Sequence, residues 1–386
     1  MGEIAVSVVV PVYNNPEGLT ACLEALAAQQ TARSFEVVVV DDASTVDLEP
    51  IRTAFSPRLS LQWQRLPRNS GPAAARNAGI QAARGELVLF TDGDCRPEPL
   101  WLEALARPFD DPAVRGAKGV YRTAQTDRVA RLAQLEFEER YDLLATFPDI
   151  DFVDTYSGAF RRADLLAVGG FDTSFRRADN EDVDLSFRIK ARGGRFVFVP
   201  TAVVWHRHRE GWAGYARLKF GRGFWRMKVY RKHPHKAGRD TYTPWTLKAQ
   251  LGLLGLAPLL AMGSWLGWPG PGWRSRQQES ALASAPGLRP LGKGMIGGGF
   301  APPRRRSGLA AWVLSWFAAW LITCLPLMKV AWRRDRWLMP WVPVFLLVRG
   351  VALVAGMLAG IGSGLLEPWP ARSGKANQQE VAQVRG

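Results

Sequence analysis

From residue 1 to about 205, short β-branched runs alternate with helix-like stretches, and this alternation limits the chain to an α/β domain with a largely parallel sheet. Val6-Ser7-Val8-Val9-Val10 reads as the first strand, and Phe35 to Val40 as a buried central one. Between them, Pro16 to Gln29 places Leu19, Leu23 and Leu26 on one helical face. Leu59 to Leu66 follows as a third strand, Pro72 to Ala83 as an Ala-rich helix and Glu86 to Thr91 as a fourth strand. No GxGxxG follows the first strand, so a dinucleotide-binding Rossmann domain is not expected. The residues that carry chemistry fall after strands one, two and four, at the carboxyl ends where open α/β sheets bind ligands.

Two acidic clusters stand out. Asp92-Gly93-Asp94 leaves the fourth strand, and Asn180-Glu181-Asp182-Val183-Asp184 opens a later helical pattern. Carboxylates at i and i+2 suit a hard divalent cation, which prefers oxygen ligands and shares them with phosphates. A carboxylate from a distant segment can then take a proton from an attacking hydroxyl. Plainer roles exist for both: Asp-Gly is common in a type I turn, and Asn180 with the acids behind it would cap a helix.

A net charge of +15 and a pI near 10.2 fit nucleic acid, an anionic membrane surface or anionic ligands. Sixteen Trp, and apolar residues gathered after position 245, favour the membrane over nucleic acid. Cys22, Cys95 and Cys324 stand far apart without CxxC spacing, so neither a disulfide framework nor a zinc site is expected, as in a reducing compartment. The chain opens into a strand, so a cleaved signal peptide is not expected.

The second half is organised differently. Residues 211–244 form a basic stretch with interleaved aromatics and few acids, read as a juxtamembrane segment at an anionic bilayer. Three apolar segments follow, at 245–268, 309–328 and 337–366, with Trp at their ends. The third carries Arg349, which is costly in lipid unless paired. Its Gly356, Gly360 and Gly364 permit close helix contact. The stretch 269–308 reads as a low-complexity basic loop and 367–386 as a polar tail. Both inter-span loops are basic, so charge bias leaves the topology open.

Six motifs in order carry a family resemblance: Val10-Pro11-Val12-Tyr13-Asn14, Val40-Asp41-Asp42-Ala43-Ser44, Asn69-Ser70-Gly71-Pro72 with Ala75-Arg76-Asn77-Ala78-Gly79, Thr91-Asp92-Gly93-Asp94, Gly169-Gly170-Phe171-Asp172 and Asn180-Glu181-Asp182. Over residues 5 to 208 the chain resembles a family 2 glycosyltransferase with a GT-A fold. The resemblance implies that Pro11, Tyr13 and Asp42 hold the nucleoside of a nucleotide-diphosphate sugar and that Arg76 contacts the nucleotide or its diphosphate. It makes Asp92 and Asp94 the DxD pair that holds Mn²⁺ or Mg²⁺ against that diphosphate. His206 is implied as a further metal ligand, with His208 the weaker choice. Asp182 is implied as the catalytic base, with Glu181 orienting it or the acceptor, and the outcome is inversion in one displacement. Gly158-Ala159-Phe160-Arg161 is expected to shape the acceptor pocket. The Gln-x-x-Arg-Trp motif of processive synthases is absent, since Gly221-Arg222-Gly223-Phe224-Trp225-Arg226 stands there, and this implies transfer of single sugars.

The expectation is therefore a GT-A domain over 1–210, a basic juxtamembrane segment and C-terminal transmembrane helices, with the catalytic side facing the cytoplasm. A polyprenyl- or other lipid-linked acceptor would be held near the site by the anchor. The other readings are a nucleotidyltransferase-like enzyme, which normally shows a Gly-rich basic signature after the first strand, and an inactive membrane scaffold, against which intact Asp92, Asp94 and Asp182 speak.

Overall fold

The computed structural model describes residues 3–175, 179–238, 240–265 and 306–366. The expected basic loop 269–308, apart from its last three residues, and the tail 367–386 lie outside the described residues. The α/β half runs β1 (Val6–Val12), α1 (Pro16–Ala27), β2 (Phe35–Asp41), α2 (Glu49–Phe55), β3 (Leu61–Arg65), α3 (Pro72–Ala82) and β4 (Leu87–Phe90). It continues through β5 (Arg96–Pro97), α4 (Trp101–Ala106), β6 (Val114–Arg122), α5 (Arg128–Leu144), β7 (Gly158–Arg161), α6 (Arg162–Ala167), α7 (Glu181–Lys190) and β8 (Arg195–Trp205).

These strands make one sheet in the order β3-β2-β1-β4-β7-β6-β8-β5. The first four are mutually parallel, whereas β7 runs antiparallel to both β4 and β6. The alternation of β1 divides the core as a period of two requires. Val8 and Val10 face α1 and α4 with Leu23 and Trp101, while Val9 faces α3 with Val38, Val88 and Ile80. Helix α3 lies close on β1 because Gly79 has no Cβ; one added there would overlap the Val9 side chain. That approach sets the height of Arg76, one turn earlier, above the carboxyl ends of β1 and β4.

The C-terminal half consists of α8 (Trp212–Lys232), α9 (Trp245–Trp265), α10 (Arg306–Arg334) and α11 (Val342–Leu366). Helix α8, expected as a basic juxtamembrane segment, carries much of its charge inward. Lys219 meets Glu136 at 2.8 Å, Lys232 meets Asp172 at 2.7 Å and Asp184 at 2.6 Å, and Lys236 just beyond meets Asp151 at 2.7 Å. Helix α11 packs on α8 backbone to backbone. A Cβ on Gly356 would overlap the Phe220 carbonyl, one on Gly223 the Leu353 carbonyl, and one on Gly360 would come within 2.6 Å of the Phe224 carbonyl.

Two stretches, Val313–Arg334 and Arg336–Gly364, are long and apolar enough to cross a membrane, with mean hydropathy 1.7 and 2.3. They correspond to the second and third expected segments; the first forms α9. Phe317, Leu325, Val351 and Leu358 on their outward faces are exposed. Arg349 turns inward. Its Nη2 donates to Gln250 Oε1 at 2.6 Å and its Nη1 lies 3.5 Å from Glu136, so the charge flagged as costly in lipid is paired with the α/β half.

Candidate functional site

The turns after β1 and β2 are interlocked. Asn14 and Ala43 both adopt positive φ, 51° and 59°, a region that costs a residue with a Cβ energy and persists only where the surroundings impose it. Here Asn14 N–H donates to Ser44 Oγ at 2.9 Å and Asn14 Oδ1 accepts from Thr45 N–H at 2.7 Å. Asp42 does not cap a following helix. Its carboxylate accepts from Ser70 N–H and Gly71 N–H, both at 2.8 Å, and so holds the loop that launches α3. Burial raises its pKa against those two bonds. Tyr13 stands half exposed beside these turns.

Arg76 joins the two acidic clusters. From α3 its Nη2 donates to Asp92 Oδ1 at 2.7 Å and its Nη1 to Glu181 Oε1 at 2.8 Å, with the guanidinium 5.7 Å from the Phe171 ring centre. Arg76 and Glu181 are buried, and among the described residues Arg76 Nε and Glu181 Oε2 have no hydrogen-bond partner. Burial alone would lower the arginine's pKa, but Asp92 and Glu181 outweigh it and raise it. The sequence offered Arg76 as a nucleotide contact; in the structure its two Nη groups are engaged by carboxylates of the chain itself.

Asn180 does not cap α7 through its side chain. It sits in the left-handed region at φ 68°, and its Nδ2 donates to the Arg222 carbonyl at 3.2 Å. The helix N-terminus instead faces Glu181, Asp182 and Asp184 in its own first turn. Burial, then the charge of Asp182, raises the pKa of Glu181; burial also raises that of Asp182, whose Oδ1 accepts from Val183 N–H at 2.8 Å. Asp184 is the opposite case. Although burial would raise it, His233, Arg188 and Lys232 hold it well below the carboxylate range, so it ties α7 to α8.

Asp92 and Asp94 do occupy a hydrogen-bonded turn, closed by Cys95 N–H on the Asp92 carbonyl at 2.9 Å. Ligand atoms of Asp92, Asp94 and Cys95 nevertheless lie within 4.8 Å of one another. Burial first, then Asp92 and Asp94, pushes the Cys95 thiol well up, so it stays protonated and only the carboxylates suit a hard cation. His206 Nε2 lies 3.5 Å from Asp94 Oδ2, and its ring stacks on Tyr121 with centroids 4.6 Å apart. Its buried Nδ1 has no hydrogen-bond partner among the described residues. This donor set fits a Mg²⁺ or Mn²⁺ ion. His208 points elsewhere, its Nε2 paired with Gln134 Oε1 at 2.8 Å, and burial, then the charge of His206, lowers its pKa to about 3.

Arg76, Asp92, Asp94, Glu181, Asp182 and His206 line a single cavity of about 660 Å³. Pro11, Tyr13 and Asp42 are not among its lining residues. The expected Gly158–Arg161 segment is not a pocket wall either, since it is strand β7, paired on both sides inside the sheet. The wall there comes from Asp154, Thr155 and Tyr156. Sequence reading also missed Lys118, fully buried on β6, ion-paired with Asp154 and 5.1 Å from the ring centres of Phe152 and Tyr156. A lysine inside an apolar strand was the available signal. The cavity continues past Arg222 and Arg226 of α8 to Leu251 of α9 and to Leu353 and Met357 of α11.

Residues 7–168 match the profile described as Glycosyl transferase family 2. A pre-mycofactocin glycosyltransferase of Mycobacterium tuberculosis is 31% identical over 237 residues, covering 60% of this chain and 48% of that protein. A hyaluronan synthase of Pasteurella multocida is 26% identical over 243 residues, covering 54% of this chain and 25% of that protein. The chain thus spans about half the length of the first and a quarter of the second. Among solved structures, the mannosyltransferase PcManGT of Pyrobaculum calidifontis, in complex with GDP-Man and Mn²⁺, matches 90% of this chain and 86% of its own at TM-score 0.50 and 22% identity, a likeness of fold. The motif order, the mixed sheet with its acids at the strand ends and the profile match agree: residues 7–168 resemble a family 2 glycosyltransferase domain.

Proposed function

We propose that the protein is a membrane-anchored, inverting glycosyltransferase that moves a single sugar from a nucleotide-diphosphate donor to a hydroxyl of a lipid-linked acceptor. The observation that carries this reading is the Arg76 bridge, which brings Asp92 and Glu181, and with them Asp94 and Asp182, into one cavity. Asp92 and Asp94, with His206 beside them, would hold the divalent cation. When bound, that ion neutralises the donor diphosphate and the charge that grows on the leaving group. Asp182 takes the proton of the acceptor hydroxyl as its oxygen bonds to the anomeric carbon, while the bond from that carbon to the diphosphate oxygen breaks. The raised pKa of Asp182 matches this role, because a base works best when its pKa lies nearer the working pH. Glu181, fixed by Arg76, positions the base or the acceptor. Pro11, Tyr13 and Asp42, outside the cavity lining, supply the nucleoside end, Asp42 by holding the Ser70-Gly71 loop.

The anchor supports the acceptor class. The two outward apolar helices fit a bilayer, and the cavity reaches the inner face of one of them. Nucleotide sugars are cytosolic, which would set the α/β half on the cytoplasmic side. The relatives' donors, GDP-Man among them, recommend a screen of UDP-, GDP- and dTDP-sugars by thermal shift with and without Mn²⁺. One donor should raise the melting temperature, more so with Mn²⁺, by mass action. Asp92→Ala should remove the Mn²⁺-dependent part. Sugar transfer that survives both Asp92→Ala and Asp182→Asn would overturn the reading.

A further inference from the structure

Three consecutive residues of α8 connect the carboxylates to the apolar helices. Gly221 abuts Asp179, since a Cβ there would lie 2.9 Å from Asp179 Oδ2. The Arg222 carbonyl accepts from Asn180, two residues before Asp182. Gly223 backs directly on Leu353 of α11. One helix diameter, on the order of 10 Å, therefore separates the acid cluster from an apolar surface.

At this crossing the cavity wall carries Arg222 and Arg226, one turn apart. Neither forms an ion pair among the described residues, whereas Lys219, Lys232 and Lys236 around them each meet an acid. Both are only partly accessible, a setting in which an unpaired charge is costly and an anionic ligand is favoured. Beyond them the lining turns apolar, with Leu247 and Leu251 of α9 facing Leu353 and Met357 of α11. The lining thus includes carboxylates, guanidinium groups and aliphatic side chains, which the α8 crossing brings close together.

Resting on the glycosyltransferase reading, we propose that the acceptor is a sugar linked through phosphate to an alkyl chain. Arg222 and Arg226 bind the phosphate, the chain leaves between α8, α9 and α11, and a hydroxyl of the linked sugar lies at Asp182. Planar guanidinium forks suit phosphate oxygens. A soluble glycan or free phosphate would leave the aliphatic end unused, and an uncharged lipid would leave the arginines unpaired.

The test uses the full-length chain in nanodiscs, with binding read by thermal shift for dodecyl phosphate, dodecanol, inorganic phosphate and a nucleoside diphosphate with Mn²⁺. Dodecyl phosphate should bind at least about tenfold more tightly than dodecanol or inorganic phosphate, as one charge-assisted hydrogen bond allows. Arg222→Gln with Arg226→Gln should abolish that margin, and Arg226→Gln alone should reduce it. Met357→Trp should weaken dodecyl phosphate more than butyl phosphate. Equal binding of dodecanol and dodecyl phosphate would overturn the proposal. So would loss of nucleoside diphosphate binding in the arginine variants, which would assign these cations to the donor. Failure of the glycosyltransferase reading looks different: no nucleotide binds, whatever dodecyl phosphate does.

Discussion

Two buried ionic clusters line this cavity, and their charge balance differs in sign. Around Arg76, one guanidinium serves Asp92 and Glu181, with Asp182 beside them. Around Glu136, one carboxylate serves Lys219 at 2.8 Å, Arg140 at 2.5 Å and Arg349 at 3.5 Å, and also accepts from Tyr215 at 2.8 Å. The first cluster has spare negative charge, carboxyls pushed up by burial and, among the described residues, unpartnered atoms, Arg76 Nε and Glu181 Oε2. In the second, burial would also push Glu136 up, but Lys219, Arg140 and Arg349 hold it well down. Acids short of cations suit a site that receives a metal and a proton. An acid saturated with cations suits a fastening, and this one ties α5 to α8 and α11.

The largest effect should come from the open cluster. Asp182→Asn keeps the side chain's shape and its acceptor for Val183 N–H but cannot take a proton. Transfer should fall roughly 10²–10⁴-fold, with nucleotide binding retained. Wild-type rates in that variant would remove Asp182 from the base role. In the closed cluster, Glu136→Gln leaves Lys219, Arg140 and Arg349 crowded without their counter-charge. Breaking a buried ion network in this way costs about 3–5 kcal/mol, read as a fall in melting temperature and as earlier proteolytic release of α10 and α11. If stability held while transfer collapsed, the two clusters would have exchanged roles.

Sequence reading fared unequally over the same two regions. β1, β2 and β4 were legible because β-branched runs bounded by turn residues have few alternatives, and the acids at their ends marked the site. Asp184 stood in the same acidic run as Asp182, and only the structure separates them: Arg188 and Lys232 pair with Asp184 and His233 lies 2.9 Å from it. The Arg76 bridge was not legible, because it depends on how closely α3 settles on Val9 at Gly79. Arg349 announced itself as a charge in an apolar run, yet its partner is on α5, where nothing local in the sequence points to it. The lysines of α8 looked like a lipid-facing patch because their acids, Asp172, Asp184 and Asp151, belong to other segments.

A pH titration can set the two kinds of carboxylate against each other within one helix. Glu181 has a raised folded pKa, so its contribution to stability is fully present below the ordinary glutamate value of 4.5 and is lost as pH rises through the folded value. Asp184 has a depressed one, so its contribution is present above 3.8 and is lost as pH falls. Glu181→Gln should therefore gain on the wild type as pH rises from 4.5 towards neutrality. Asp184→Asn should lose most at neutral pH and close the gap in acid. Parallel melting-temperature curves for the two variants would show that the acids are equivalent. The raised pKa of Asp182 also places the acidic limb of the transfer rate above the usual aspartate range.

The smallest effect concerns the seam that joins the fastening to the cavity. Gly356→Ala adds one methyl where the Phe220 carbonyl of α8 leaves no space, and the obstruction is backbone, which cannot rotate away. That overlap obliges helices α8 and α11 to separate by roughly an ångström, a cost of about 1–3 kcal/mol for overpacking. Because Leu353 and Met357 flank this position in the cavity wall, the separation should raise the KM for a lipid-linked acceptor while leaving the donor KM unchanged. Gly362→Ala on the same helix meets nothing within 4 Å and should do neither. A Gly356→Ala enzyme with an unaltered acceptor KM would mean that α11 only fastens, and that the acceptor enters without touching it.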